Sequence, residues 1–324
     1  MLHKRQLLKI TLWILCSLPL FAAGNKEHQD FPSKSLTIIV PYSEGGGTDT
    51  IARSIGASLE KILKQEVFIE NKLGGSGAVG MISGAAAIPD GYTLTMVTRE
   101  LVSLPAQGLA EITRDDFQLL GLVNKDSAVL VVAGDSSYES LDQIIENARK
   151  TPGKLRFASA AKPHFYILEF ENHENIMFNK IPYNGAAKAI PAVSEGHADF
   201  TLANAGELKV WLNEGKVRAL AIMADERAVS LPDVPTFKEL GYDITSFTWR
   251  GLAVPLDTDK ETLNILQDAV REACSDPSFI QTMSKELYSL DYMNAHIFSQ
   301  FIEMDNKTIT AILEKMASDE KSAE

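Results

Sequence analysis

The sequence predicts an α/β fold of two lobes, each a mixed sheet flanked by helices, and three observations predict it. Short apolar runs bounded by turn residues alternate with stretches of helical apolar spacing, the order of a sheet wound with helices. The chain has 324 residues, 45% hydrophobic and 23% charged, which suits two globular domains. No low-complexity linker divides the elements, so the lobes are expected to share crossing strands, near residues 128 and 249.

Residues 1–24 read as an export signal. Lys4, Arg5 and Lys9 precede an apolar run from Ile10 to Ala23, and Ala22-Ala23-Gly24 offers small residues for cleavage. The run is short for a bilayer span. Lipid anchoring at Cys16 is disfavoured because Trp13-Ile14-Leu15 lacks a small residue before it. Removing the segment takes the formal charge from −12 to −15 and leaves Cys274 alone. An internal disulfide is then impossible, and a thiol in the helical pattern LNILQDAVREAC is expected to be buried and inert. The acidic balance argues against nucleic acid as a partner. The expected location is the periplasm.

In the mature chain, 36–42 (LTIIVPY) reads as a buried strand, 51–64 as a helix that Thr48 or Asp49 can cap, and 66–71 (EVFIEN) as a second strand. LGGSGAVG (73–80) leads into a small-residue helix ending near Ile88, and YTLTMVT (92–98) is a third strand after the Pro89-Asp90-Gly91 turn. This order implies a parallel arrangement with right-handed crossovers. A second set follows: AVLVVAG as a strand from Ala128, SLDQIIENARKTPG as a helix, then KLRFASA, ADFTLAN and VRALAIM as strands. IPYNGAAKAIPAVSEG reads as a strand end, a loop and a helix. WRGLAVP (249–255) is a strand, and 260–324 is mostly helical. The lobes are expected to be 32–128 plus 250–324, and 129–249.

Two glycine loops, SEGGGTDT and LGGSGAVG, each lie between a strand and a helix. Ligands of open α/β sheets bind beyond the carboxyl ends of strands. Glycine lets backbone N–H groups face a ligand, and the helix that follows adds unsatisfied amides and a partial positive charge. Two such ends aimed at one point form an anion site without lysine or arginine, so an acidic chain can still bind a carboxylate. The plainer reading of each loop is a tight turn that permits close helix–strand packing. Gly75 to Gly80 also fits G-x-G-x-x-G, with Glu100 beyond the third strand, which makes a dinucleotide-dependent oxidoreductase a rival. No Walker lysine follows either loop, and Gly74 to Ala78 fails the G-x-S-x-G elbow at its last position. The histidines at 164, 173, 197 and 296 are scattered without metal-ligand spacing. His164 stays a candidate because it follows a predicted strand.

Taken in order, VPYSEGGGTDTIAR, VFIENKLGGSGAVG, PDGYTL, ITRDDF, IPYNGAAKAIPAVSEGHAD, GKVRALAI and LPDVPTFKELGY resemble the extracytoplasmic receptors of tripartite tricarboxylate transporters, the Bug family. The resemblance runs from Pro32 to about Lys307. It implies a two-lobed fold like that of type II periplasmic binding proteins. It also implies capture of a small organic anion, delivery to large and small membrane subunits, no chemistry and no cofactor. A periplasmic sensor with the same lobes is the alternative. The ligand-binding positions it implies on the first lobe are Tyr42, Ser43, Gly45, Gly46, Gly47, Thr48, Asp49, Gly74, Gly75, Ser76 and Gly77. Thr48 and Ser76 are expected hydroxyl donors, while Asp49 is expected to cap the helix or fix the loop. On the second lobe the positions are Ser159, Ala160, Ala161, Lys162, His164, Tyr183, Asn184, Gly185, Ala186 and Asn204. Tyr183 equally fits an ordinary packed aromatic, and Lys162 a solvated lysine. Glu44 stands where the family has proline, Lys72-Leu73 where it has Arg-Pro, and Leu202-Ala203-Asn204 where Phe-Asp-Asn is frequent. The loop after Ser159 is shortened, with Lys162-Pro163 in place of a glycine/serine stretch. The missing acid at 203 predicts a ligand without an α-amino group.

Overall fold

Leu36–Val40 (β1) is apolar and buried at every position but Thr37, as suits a central parallel strand. Val67–Asn71 (β2) alternates and takes the sheet edge, and Thr93–Thr98 (β3) lies on the other side of β1. All three are parallel, so their carboxyl ends share one edge. Gly47–Leu63 (α1), Ala78–Ala85 (α2) and Glu100–Ala106 (α3) each start just beyond that edge. The computed structural model describes residues 31–323, so the export segment and Cys16 fall outside the described residues.

Phe117–Ala133 (β4) has 17 residues and begins well before the strand expected at 128. Gly121 and the polar stretch Asn124–Ser127 break its apolar run, which hides its first half from a periodicity reading. Its first part pairs antiparallel with Phe247–Pro255 (β9), from Phe117 opposite Pro255 to Ser127 opposite Phe247. From Ala128 onward it pairs with Phe200–Asn204 (β7) and Val217–Ile222 (β8). Arg156–Ser159 (β5) runs parallel to β7 and to the edge strand Asn179–Pro182 (β6). A second set of parallel carboxyl ends therefore follows β5, β6 and β7. β9 also pairs antiparallel with β3, and Met293–Asn294 (β10) pairs with β4.

Helices cover the sheet: Leu141–Lys150 (α4), Phe165–Glu174 (α5), Ala186–Ser194 (α6), Ala205–Asn213 (α7), Lys260–Cys274 (α8), Pro277–Lys285 (α9) and Ala295–Ala323 (α10). One core joins Ile144, Phe157, Phe170, Phe200 and Phe237, and another joins Val97, Phe117, Trp249 and Phe298. α10 touches both, with Ile302 and Ile309 in the second and Ile312 in the first. A buried ion network ties these parts together. Arg99 beyond β3 bonds Asp305 of α10 at 2.8 Å and Glu169 of α5 at 3.0 Å, and Trp249 Nε1 donates to Asp305 at 2.7 Å. Cys274 is buried on α8, and burial pushes its thiol up to about 12, so it stays protonated. No described helix is long and apolar enough to cross a membrane.

Candidate functional site

The first glycine loop lies between Tyr42 and the first turn of α1. The helix starts earlier than expected, with Gly46 as its N-cap, so neither Thr48 nor Asp49 caps it. Both sit inside the first turn and are buried. Asp49 fixes the loop. Its Oδ2 accepts from the Gly45 amide at 2.9 Å and from Arg53 Nε at 2.8 Å, and its Oδ1 accepts from Asn71 Nδ2 at 2.8 Å. Burial works to raise its pKa, but Arg53, Asn71 and the Gly45 amide outweigh it and hold the carboxyl below its ordinary value. The amides of Gly47, Thr48 and Asp49 have no acceptor among the described residues. Ser43, Gly45 and Gly46 are exposed.

The second loop runs in the left-handed region, with φ of +135° at Gly74, +55° at Gly75, +54° at Ser76 and +97° at Gly77. Three glycines in four positions make that path accessible. A Cβ on Gly77 would sit 2.9 Å from Tyr42 Oη, so the loop folds directly onto that tyrosine. Tyr42 Oη donates to the Ser76 carbonyl at 3.4 Å and lies 3.3 Å from Thr98 Oγ1, which joins the two loops to the end of β3. Burial and the nearby Glu100 carboxylate raise the Tyr42 pKa, so the phenol keeps its proton. Gly80, the last glycine of the dinucleotide-like pattern, packs α2 onto β1: a Cβ there would meet Pro41 Cα at 2.7 Å.

The candidates on the β5–β7 side are held differently. The amides of Tyr183 and Gly185 donate to the carbonyls of Ser159 and Ala160 at 2.8 and 3.2 Å, which places the loops after β5 and β6 side by side. Ser159 Oγ turns inward to the Ala161 carbonyl at 2.8 Å. Ala161, Lys162 and Asn184 are exposed, and Gly185 is the N-cap of α6 with φ +83°. Tyr183 packs against Ala158, Ala189 and Val193, which favours the packed-aromatic reading. His164 is 8% exposed, stacks edge-on against Phe157 and Tyr166, and its Nδ1 has no hydrogen-bond partner among the described residues. Burial pushes its imidazole down to about 4, so the ring is neutral at neutral pH. Asn204 Nδ2 donates to the Asp126 carbonyl at 3.1 Å, and its amide group lies beside Tyr166 Oη. Ala203 is buried among Val129, Ile190 and Leu208. The residue at 203 is thus a core residue, which weakens it as a reader of the ligand's α-substituent.

The register brings the two sets of carboxyl ends to one stretch of β4. Thr98, the last residue of β3, faces Arg250 on β9; Arg250 faces Asn124 on β4; four residues on, Ala128 faces Asn204, the last residue of β7. Arg250 donates through Nε to Thr48 Oγ1 at 3.0 Å and through Nη1 to Asn124 Oδ1 at 2.6 Å and Asp126 Oδ2 at 2.8 Å. Since Thr48 Oγ1 accepts there, its own hydrogen is left to donate. Tyr288, in the segment after α9, touches both sides. A Cβ on Gly47 would lie 3.1 Å from its Oη, and one on Gly206 would lie 2.5 Å from its ring. Sequence reasoning missed Arg250, Asp126 and Tyr288. Arg250 sits inside an apolar strand motif, and only strand register carries it to the first loop.

A cavity of about 490 Å³ lies nearby, lined by Lys125, Ser127, Phe247, the 224–230 segment and the 288–291 segment. None of the residues expected from sequence lines it, and Tyr288 is what it shares with the glycine-loop site. Its wall holds no glycine loop and no helix start of the kind that favours an anion.

Residues 51–317 match the family model TctC, tripartite tricarboxylate transporter family receptor. A Cupriavidus necator protein described as the UPF0065 protein in the gbd 5′ region is 30% identical over 308 residues, covering 93% of this chain and 92% of its own. A crystal structure of a TctC solute binding protein from Polaromonas, without ligand, is 30% identical with a TM-score of 0.78, covering 88% of this chain and 99% of its own. MatC from Rhodopseudomonas palustris, solved with bound malate, is 25% identical with a TM-score of 0.71, covering 87% of this chain and 99% of its own.

Proposed function

Because the chain belongs to the TctC family of tripartite tricarboxylate transporter receptors, we propose that it is a periplasmic solute receptor that captures a small organic carboxylate and delivers it to the transporter's membrane subunits. The binding lobes are 32–128 plus 250–324, and 129–249, and the ligand bridges them. The observation that carries this reading is the pairing of the two glycine loops. Tyr42 ties one to the other, and the first amides of α1 are left without acceptors beside the loop that Asp49 fixes. Such amides stabilise an anion through hydrogen bonds and the helix-end charge, each contact contributing about 0.3–1 kcal/mol when exposed and up to ~2 when partly buried. The malate bound by MatC supports the same ligand class.

A ligand that bridges the lobes binds the closed form better and shifts the population toward it. The test is a thermal-shift panel of mono-, di- and tricarboxylates, aromatic acids and amino acids. A true ligand at about 100 times its dissociation constant adds about 2.7 kcal/mol. The same ligand lowers the radius of gyration in solution scattering. A panel in which no acid raises the melting temperature refutes the carboxylate assignment, and an unchanged radius at saturation refutes closure.

A further inference from the structure

Among the described residues Arg99, beyond β3, and Arg250, on β9, are both largely buried and ion-paired, and they differ in one respect. Arg99 commits every nitrogen: Nε to both oxygens of Asp305, Nη1 to the Phe247 carbonyl, and Nη2 to Glu169 and Asp305. Arg250 commits Nε and Nη1, as described above, but its Nη2 makes no hydrogen bond among the described residues. Its side chain is 11% exposed, while that of its partner Asp126 is 2% exposed. A guanidinium has five N–H donors in a rigid fork. Here three are spent on the protein, and those three fix where the last two point.

They point at the first glycine loop. A Cβ built on Gly47 would lie 3.4 Å from Arg250 Nη2 and 3.1 Å from Tyr288 Oη. Tyr288 also differs from its neighbours. Tyr42 and Tyr166 both have hydrogen-bond partners for their hydroxyls, and Tyr288 Oη has none among the described residues. Two uncommitted donors thus approach the same bare Cα, next to the unbonded amides of Gly47 and Thr48. Asp126 is itself held by the Ser289 amide at 2.8 Å and by Asn124, so the anchor below Arg250 is fixed as well.

We propose that Arg250 is a ligand-contacting, specificity-determining residue, with Nη2 and Tyr288 Oη clamping one carboxylate of the ligand against the first turn of α1. The inference rests on the carboxylate-receptor reading and sharpens it. The ligand is held by a cationic side chain, in addition to helix-end amides. A charge-assisted hydrogen bond is roughly twice as strong as a neutral one. The site therefore selects an ionised carboxylate in that position over a neutral oxygen of the same shape.

The test is calorimetric titration of the mature protein with succinate, malate, adipate and citrate. Three variants are compared. Arg250→Lys keeps the charge and loses the fork. Tyr288→Phe removes only the hydroxyl. Arg250→Gln/Asp126→Asn removes the charge without leaving Asp126 buried and unpaired. For whichever acid the unmodified protein binds, the expected losses are about 10- to 100-fold for the double variant and about 3- to 10-fold for Tyr288→Phe, with Arg250→Lys between them. Binding within twofold of the unmodified protein in Tyr288→Phe and in a folded arginine variant overturns the clamp and leaves the receptor reading standing. If the double variant does not fold, the two single variants decide. If the unmodified protein binds no acid at all, the receptor reading fails and the clamp fails with it.

Discussion

Between Gly45 and Asn71 three donors, two local and one from the end of β2, converge on the one carboxylate of Asp49, and Tyr42 locks the second loop onto the first. Between Ser159 and Gly185 the loops are joined by two backbone hydrogen bonds, and Ala161, Lys162 and Asn184 stand in solvent. On the proposed reading, the β1–β3 side is therefore the preorganised half of the site, its loops held by side-chain hydrogen bonds. The β5–β6 side presents exposed side chains that no such set of side-chain hydrogen bonds holds among the described residues. A receptor that binds a common chemical group at one end and distinguishes ligands at the other needs this division. Preorganised donors cost little to use, and variable ones can be exchanged without unfolding the site.

The largest effect expected from breaking this asymmetry is at Asp49. Asp49→Ala leaves the Gly45 amide without its acceptor and frees Arg53 and Asn71. The expected loss is about 3 kcal/mol in denaturant unfolding, the range for removing a buried, multiply bonded carboxylate. Binding of any acid should fall by more than tenfold. Because its folded pKa is depressed, the Asp49 contribution is present above the unfolded value near pH ~4 and is lost as pH falls through the folded one. A variant as stable as the unmodified protein would remove the distinction between the two sides.

On the β5–β7 side the corresponding buried group is His164, and its pH dependence has a different window. Its folded pKa is pushed down to about 4, below the unfolded value of ~6.5, so the unfolded chain binds more protons between those values. Stability should fall as the solution is acidified from pH ~6.5 toward 4, by on the order of 2 kcal/mol, while Asp49 stays ionised for most of that range. His164→Phe keeps the edge-on stacking with Phe157 and Tyr166 and should flatten the slope in a urea titration repeated across pH. A slope that survives the substitution assigns the effect elsewhere.

How much of this was readable beforehand follows from what each feature depends on. The parallel strands β1 to β3 and both glycine loops are local patterns, and the sequence displays them. The early start of α1 is less visible, because Gly46-Gly47 looks like a loop until its amides are traced. The first half of β4 escaped because Gly121 and Asn124–Ser127 interrupt its apolar run, yet two of those polar residues, Asn124 and Asp126, are what hold Arg250. Arg250 itself lies 202 residues from Thr48, and nothing local announces their contact. Sequence periodicity reads elements well, and register between distant strands is what it cannot read.

Gly47 and Gly206 flank Tyr288 from the two sides, with unequal clearance. A methyl group on Gly206 would overlap the tyrosine ring at 2.5 Å, whereas one on Gly47 would meet the hydroxyl at 3.1 Å. Gly206→Ala should therefore cost about 1–2 kcal/mol and Gly47→Ala less, since Tyr288 is only partly buried and can shift. Tyr288→Leu should restore the stability of Gly206→Ala, a rescue measurable as a coupling in a double-mutant cycle. An uncoupled pair would place the ring elsewhere in solution.

The smallest effect is expected at Lys162, and its smallness is informative. The side chain is exposed and makes no ion pair among the described residues, so Lys162→Ala should leave the unfolding midpoint unchanged. Its effect on binding separates two roles. A solvated lysine changes affinity for a dicarboxylate by less than threefold, an amount that disappears in high salt. A lysine that meets the distal carboxylate on closure changes it by tenfold or more, and spares a monocarboxylate of the same length. With Lys162 exposed and without an ion pair among the described residues, the solvated role is the expected one. A loss confined to dicarboxylates would mean that the exposed β5–β6 side contributes charge, as well as shape, to the choice of ligand.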